Sequence, residues 1–285
     1  MNSELQKNWG YQPSFRRRLL RTVCKLIIFI FRLNGRSKIS NEFMQMLDPK
    51  FKTQLDGREL QFRTGNGRLL WRAKTLLTEE PLMISWIKAM NPNDVVLDVG
   101  ANVGTYTVPI AQRVKKVYAC ELDPLNVAIL KENIVLNGVQ QIVTILPFAC
   151  GGSAELVDVA FRDLAYGDAL QLIAGGEDLG TRLEQLSHTA SIVQFSLDEI
   201  FTQLNLSLPN KVKIDVDGNE ATVLLGMKNI LAEAHEVYFE DSLSDSCNEV
   251  TQYLINRGFY VDQSLNGYSK NNVDQVVLIN KIFKK

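Results

Sequence analysis

The fold of this chain is decided by residues 95–121, which read VVLDVGANVGTYTVPIAQRVKKVYACE. A short β-branched run leads into a turn that holds Gly100 and Gly104, and an apolar stretch at helical spacing follows. A second β-branched run then ends at Glu121. Glycines in such a turn let the backbone pass tightly and remove Cβ atoms where a cofactor would clash. This order of strand, turn, helix, strand and acid is typical of nucleoside-cofactor sites in parallel α/β sheets.

Two residues in this stretch favour one cofactor over another. A dinucleotide fingerprint needs a glycine at position 102, where this chain has Asn102. Asp98 disfavours a pyrophosphate but suits the cationic amino and sulfonium groups of S-adenosylmethionine, and Glu121 is placed to accept hydrogen bonds from ribose hydroxyls. We therefore predict S-adenosylmethionine as the cofactor. The predicted cofactor-binding residues are Asp98, Gly100, Asn102, Gly104, Thr105, Glu121, Leu122, Phe148, Ala149 and Asp215.

The chain divides into three predicted parts, of which the first, residues 1–40, is a basic amphipathic segment. Residues 91–285 alternate short β-branched runs with helical ones, which predicts a parallel α/β catalytic domain, with an insertion at about 150–194 facing the substrate. Residues 41–90 are predicted to form a cap or linker. The predicted strands are 95–99, 117–121, 143–148, 212–216, 237–240, 259–262 and 275–279.

Residues 1–40 differ sharply in charge from the remainder. They carry nine Lys/Arg against one acid, which leaves 22 basic and 31 acidic residues in the rest. An acidic catalytic part predicts no nucleic-acid partner. The basic, amphipathic residues 15–36 have too short an apolar run to span a bilayer. They are predicted either to contact the inner face of the membrane or to pack on protein, and a cytoplasmic location is expected.

The motifs resemble those of the FkbM-type methyltransferases over about residues 75–281. The resemblance is carried by LDVGANVG at 97–104, ELDPLN at 121–126, SLD at 196–198 and KIDVDGNE at 213–220. It implies an α/β class I methyltransferase (Rossmann-like) fold, with a seven-stranded sheet whose last strand is antiparallel, and methylation of a hydroxyl on a sugar or secondary metabolite. The chain departs from the family pattern at Leu122, Asp217 and Asn219, which puts the geometry of the acceptor site in doubt.

Candidate catalytic residues cluster where the fourth and fifth strands end. Lys213 and Asp215 share one face of a strand because side chains alternate with a period of two. Glu240 ends the next strand, so Lys213, Asp215 and Glu240 are the predicted catalytic residues. Carboxylate oxygens at the ends of both strands are ligands that Mg²⁺ prefers, so a divalent metal is kept as an alternative. No metal site is predicted. Asp198 is predicted to cap the helix that follows it.

The predicted function is S-adenosylmethionine-dependent O-methylation of a sugar, glycolipid or secondary-metabolite hydroxyl. The alternative is a non-catalytic binding or scaffold protein at the membrane surface, suggested by the altered residues Asp217 and Asn219. Asn102 disfavours a nicotinamide oxidoreductase. A base N-methyltransferase is disfavoured because no Asn/Asp-Pro-Pro-aromatic motif follows the fourth strand. The oligomeric state is not predicted.

Overall fold

The structure is a computed structural model, and it describes residues 15–33, 49–161, 164–169, 171–173, 188–216, 218–241, 245–262, 267–270 and 277–285. The chain divides into two units between Pro49 and Lys50. The described helices are α1 Phe15–Leu33, α2 Gly67–Thr75, α3 Pro81–Lys88, α4 Thr107–Ala111, α5 Pro124–Leu136, α6 Leu197–Gln203, α7 Glu220–Leu225, α8 Lys228–Glu233 and α9 Asp245–Ile255. The strands are β1 Lys50–Leu55, β2 Arg58–Arg63, β3 Val95–Val99, β4 Lys116–Cys120, β5 Val143–Leu146, β6 Ala149–Gly151, β7 Glu155–Phe161, β8 Gln171–Ile173, β9 His188–Ser196, β10 Lys211–Ile214, β11 Glu236–Asp241, β12 Tyr260–Val261, β13 Gly267–Lys270 and β14 Val277–Lys284.

The central sheet has the strand order β12-β14-β11-β10-β3-β4-β5, and β13 pairs with β14. Strands β10, β3, β4 and β5 run parallel to one another, as does β11, whereas β14 is antiparallel to β11. This is the α/β class I methyltransferase fold with an antiparallel last strand, so the predicted fold class is confirmed. The side chains of β3 and β10 are almost all buried, because helices cover both faces of a parallel sheet.

An asparagine-bearing face of α5 joins the amino-terminal hairpin to the sheet domain. The Asn133 side chain accepts from the Arg63 amide at 2.8 Å and donates to the Val103 carbonyl at 2.8 Å. One turn later, Asn137 accepts from the Gln61 amide at 2.9 Å and donates to the Gln61 carbonyl at 2.7 Å. Both residues therefore supply hydrogen bonds that strand β2 would otherwise lack on that edge.

Residues 50–90 lie in the same compact unit as the sheet. The hairpin β1–β2 and helices α2 and α3 contribute buried residues, among them Leu60 and Trp86, to one core with the sheet strands. The assignment of 41–90 as a cap or linker, with a domain boundary near residue 90, stays a prediction. Residues 41–48 of that segment lie outside the described residues.

The predicted insertion at 150–194 builds a second, smaller sheet. Its strand order is β6-β9-β7-β8, with β6 and β9 parallel and the other pairs antiparallel. Close packing ties this sheet to α7, because a Cβ at Gly226 would lie 2.0 Å from the Gly151 carbonyl oxygen. Residues 162–163, 170 and 174–187 of the insertion lie outside the described residues.

Helix α1 forms the described part of the first unit. In the part of the chain that the structure describes, no helix combines the length and the apolar character needed to cross a bilayer. Residues 34–36 of the predicted amphipathic segment lie outside the described residues. Nothing in the structure supports contact of residues 15–36 with a membrane surface.

Candidate cofactor and acceptor site

The turn after β3 is held open by its two glycines. The amides of Gly100 and Ala101 both donate to the Cys120 carbonyl, at 3.1 and 2.8 Å, which brings the turn against the end of β4. Gly100 has φ 81° and Gly104 has φ 80°, a region that residues with a Cβ rarely adopt. A Cβ at Gly100 would lie 1.8 Å from the Asp215 carbonyl oxygen, so only glycine lets this turn approach β10.

Glu121 closes the other side of the turn. Its two carboxyl oxygens accept from the amides of Asn102, at 2.7 Å, and Asp123, at 2.8 Å. The Asn126 side chain also hydrogen-bonds to this carboxyl, so of its roughly four acceptor positions about one stays open to a ligand hydroxyl. Burial raises the pKa of Glu121 to about 7 against the lowering effect of the two amide bonds. The arrangement fits the ribose of a nucleoside cofactor.

Residues 166–168, which we call the strap, lie on the outer side of the same turn. The Asp168 carbonyl accepts from the side-chain amides of Asn102 at 2.8 Å and Asn126 at 3.1 Å. The Asn126 side chain also accepts from the Gly167 amide at 2.8 Å, and the Asp168 carboxylate pairs with Arg68 at 3.2 Å. The insertion therefore contacts the turn after β3, residues 100–106, which we call the cofactor turn.

A row of polar side chains crosses three neighbouring strands beside the turn. Strand register pairs Asp98 with Lys213 and Lys213 with Tyr238, so all three project from the same face of the sheet. Lys213 Nζ lies 3.2 Å from Asp98 Oδ1 and 2.9 Å from Asp215 Oδ2, and Thr107 Oγ1 donates to Asp98 Oδ2 at 2.6 Å. Asp98, Lys213 and Tyr238 are all buried.

Lys213 is held in its charged form. Burial by itself lowers the pKa of Lys213, but the combined negative charges of Asp215 and Asp98 outweigh burial, so the pKa lies above its ordinary value. A permanently protonated ammonium cannot remove a proton. Its arrangement between two carboxylates suits it to neutralise and orient them.

The remaining predicted site residues occupy several environments. Thr105 and Ala149 are buried, Leu122 and Phe148 are half-buried, and the Phe148 ring packs edge-on to Phe195 at 5.3 Å between centroids. Asp215 is half-buried. The backbone of Glu240 lies in β11, but its side chain is outside what the structure describes, as is all of Asp217. The cofactor and catalytic assignments of the site residues stay predictions.

Three residues of this site carry no sequence signal that we used. Glu80 is the N-cap residue of α3, and its Oε2 accepts from the Tyr238 hydroxyl at 3.0 Å. Tyr106, in the cofactor turn, also hydrogen-bonds to Glu80. The adjacent Glu79-Glu80 pair followed by Pro81 indicates a helix start, but nothing in the pattern separates Glu80 from Glu79.

Asp198 caps a helix other than the predicted one. Ser196 caps α6, with its hydroxyl accepting from the Glu199 amide at 3.5 Å. The Asp198 carboxylate instead accepts from the amides of Asn229 at 2.8 Å and Ile230 at 3.0 Å in the first turn of α8. The predicted cap of the following helix is therefore wrong.

No group of three or more His, Cys, Asp or Glu side chains is arranged to hold a metal ion within the described ranges. Asp217 and the side chain of Glu240 lie outside those ranges.

Comparison with known proteins places the donor site in a wider group of enzymes. The TRM5/TYW2 methyltransferase domain model matches residues 68–152. The chain is similar to the hexuronic acid methyltransferase AglP of Haloferax volcanii, 27% identical over 201 residues that cover 70% of this chain and 78% of AglP. It is also similar to a tRNA (guanine(37)-N(1))-methyltransferase of Phytophthora infestans, 35% identical over 97 residues. That second match spans 34% of this chain and 23% of the tRNA enzyme.

Among solved structures, methyltransferase FkbM from Methylobacillus flagellatus has a TM-score of 0.47 at 11% identity, covering 76% of this chain and 59% of that chain. The chain is an S-adenosylmethionine-dependent methyltransferase, and S-adenosylmethionine is its cofactor. The residues around Gly100 and Glu121 fit this cofactor.

Two predictions are wrong in the light of these matches. The assignment to the FkbM family fails because the family model that matches is the TRM5/TYW2 domain. The motif at 97–104, on which the resemblance partly rested, lies within the residues that the TRM5/TYW2 model matches, so it does not distinguish the two families. The exclusion of a nucleic-acid partner also fails, because relatives include tRNA methyltransferases. Net charge sums over all faces and does not report a local basic surface.

Proposed function

We propose that the chain transfers a methyl group from S-adenosylmethionine to a hydroxyl oxygen of a sugar-class acceptor. The observation that carries this proposal is the extent of the match to AglP, whose name gives a hexuronic acid as its acceptor. A match of 201 residues is longer than the cofactor half of the domain. The TRM5/TYW2 match, by contrast, stops at residue 152, before β10 and β11 begin.

The acceptor edge of the sheet supports an oxygen acceptor. Open α/β sheets bind ligands at the carboxyl ends of their strands, and here β3, β10 and β11 bring Asp98, Lys213, Asp215 and Tyr238 together there. The half-buried Asp215 carboxylate is suited to hydrogen-bond the hydroxyls of a sugar. Methyl transfer then depends on holding one hydroxyl oxygen in line with the methyl group.

A second candidate is methylation of a tRNA base. It is favoured by the TRM5/TYW2 domain match over residues 68–152 and by the tRNA methyltransferase relative. The domain match ends at residue 152, and the match to the tRNA enzyme spans 34% of this chain. The two candidates differ in acceptor, so one assay separates them.

The test is transfer of tritiated methyl groups to defined acceptors by the purified chain. The acceptors are methyl glycosides of glucuronic and galacturonic acid, and an unmodified tRNA transcript. We expect label on a uronoside, and the label should resist alkali because a methyl ether does while a methyl ester does not. Glu121→Ala should abolish transfer. The matched control Glu132→Ala, an exposed position on α5, should not. Label on tRNA alone would refute the sugar proposal.

A further inference from the structure

Glu80 joins the amino-terminal region to the acceptor edge of the sheet. It is the residue before Pro81, at the start of α3. Helix α3 is fixed against β11 because the Trp86 and Tyr238 rings lie 5.5 Å apart between centroids. From that position, the Glu80 carboxyl accepts a hydrogen bond of 3.0 Å from the Tyr238 hydroxyl. A carboxyl that is distant in sequence thus lies beside the strand ends.

The groups that face Glu80 come from three elements. Tyr106 approaches from the cofactor turn, Tyr238 from β11, Lys213 from β10, and Asp215 from directly after the end of β10. Glu80 therefore lies between the turn that holds the methyl donor and the strand ends at which an acceptor binds. Glu80 and Asp215 are half-buried, whereas Lys213 and Tyr238 are buried beneath them. The two carboxyls are the part of this cluster that an acceptor can reach.

The other ionisable groups of the cluster are poorly suited to take a proton. Lys213 is buried and stays protonated. Asp98 is buried, with its oxygens directed at Thr107 and Lys213. Asp215 holds the Lys213 ammonium at 2.9 Å, and an ion pair favours the charged form of a carboxylate over the protonated form.

We propose that Glu80 is the proton acceptor of the methyl transfer, an inference that rests on the proposed hydroxyl acceptor. The hydroxyl oxygen gains the methyl group and loses its proton to a Glu80 carboxyl oxygen. The electron pair of the broken carbon–sulfur bond stays with the thioether product, so charge and atoms balance. Tyr238 is a positioning residue, because its hydroxyl holds the carboxyl that receives the proton.

The electrostatics of the cluster agree with this role. Burial and the negative charge of Asp215 raise the pKa of Glu80 to about 7, while Lys213 and hydrogen bonds from Tyr106 and Tyr238 hold it down. A general base is most effective when its pKa lies near the working pH. Glu80 is in the ionised, proton-accepting form above that pKa, so the rate should rise with pH through about 7.

The activity test compares Glu80→Gln with Glu79→Gln on the uronoside acceptors. We expect Glu80→Gln to lower kcat by about 10²–10⁴-fold and to remove the rise of the rate with pH. Affinity for S-adenosylmethionine should stay within about threefold. Glu79→Gln makes the same change one residue earlier and should leave kcat and the pH profile unchanged. Tyr238→Phe removes a donor to the charged carboxyl and should move the rise to higher pH. An unchanged kcat in Glu80→Gln would overturn the proposal.

A titration that needs no acceptor gives an independent readout. Side-chain carboxyls are followed by ¹³C NMR in protein with labelled glutamate, with and without S-adenosylhomocysteine. Two carboxyls, those of Glu80 and Glu121, should titrate near pH 7, and Glu121→Gln identifies the second. The Glu80 signal should vanish in Glu80→Gln, persist in Glu79→Gln and move upward in Tyr238→Phe. No such signal at Glu80 would overturn the proposal even if sugars are methylated. If the wild type methylates only tRNA, the proposed sugar function is wrong. The role of Glu80 is then decided by this titration and by the kcat of Glu80→Gln on tRNA.

Discussion

Replacing Lys213 by methionine tests the polar row at the centre of the site. The side chain of Lys213 is 2% exposed and that of Asp98 is 1% exposed, with 3.2 Å between Nζ and Oδ1. Methionine fills similar volume but leaves the buried Asp98 carboxylate without its cation. Breaking a buried pair from one side costs about 3–5 kcal/mol of unfolding free energy. For a domain of this size that corresponds to a fall in Tm of about 6–20 °C.

The assay is thermal and denaturant unfolding of Lys213→Met across pH, beside Lys131→Met. Lys131 is exposed on α5, and its loss should change the free energy of unfolding by less than about 0.5 kcal/mol. Because the pKa of Lys213 is raised, its contribution is present below the ordinary lysine pKa of about 10.4 and is lost only as pH rises above that. Wild type should therefore show no loss from this group between neutral and weakly acidic pH.

A double variant measures the coupling between the two buried groups. In Asp98→Asn/Lys213→Met, the loss should be smaller than the sum of the two single losses, since the buried charge is gone as well. A fall in Tm below about 2 °C for Lys213→Met would refute the reasoning.

Three further predictions concern the cofactor turn. Gly100→Ala should lower the free energy of unfolding by at least about 2 kcal/mol more than Gly57→Ala. Both glycines have positive φ, but only a Cβ at position 100 would lie 1.8 Å from the Asp215 carbonyl oxygen. Equal losses in urea denaturation would contradict this. Asn126→Ala removes two hydrogen bonds to the strap and should cost about 2–4 kcal/mol while speeding hydrogen exchange at Gly167, and unchanged exchange there would refute the contact. Glu121→Gln should weaken S-adenosylmethionine binding at least about tenfold above pH 7, where the wild-type carboxyl is ionised. Calorimetric titration should also show that the affinity of the variant depends less on pH. Undiminished affinity would exclude a hydrogen bond from Glu121 to the ribose.

The fold was predictable because its signals are local. The run from Val95 to Glu121 carries its strand, turn and helix within one short stretch, and β3 is found at the predicted bounds. The small sheet of the insertion was not predicted as a sheet, because β7 and β9 pair although they are far apart in sequence. Leu156 and Val193 also expose apolar side chains on it. An alternating pattern interrupted in this way gives no clear period.

The site was only partly predictable, because its contacts depend on strand register and helix placement. Lys213 and Asp215 could be assigned to one face of a strand by their spacing, but the partner across the sheet, Asp98, is fixed by the pairing of β10 with β3. Glu80 reaches the same cluster from the start of α3, which is distant in sequence from β10. Asp198 caps a helix that begins about thirty residues later in the chain. Such contacts leave no trace in local spacing.

The acceptor is tested most directly by comparing methylated products in cells with and without the gene for this chain. Glycan sugars and tRNA nucleosides are isolated from the same cultures and analysed by mass spectrometry. The account predicts that one O-methylated sugar disappears when the gene is absent. Loss of a methylated tRNA nucleoside, with every methylated sugar unchanged, would contradict it.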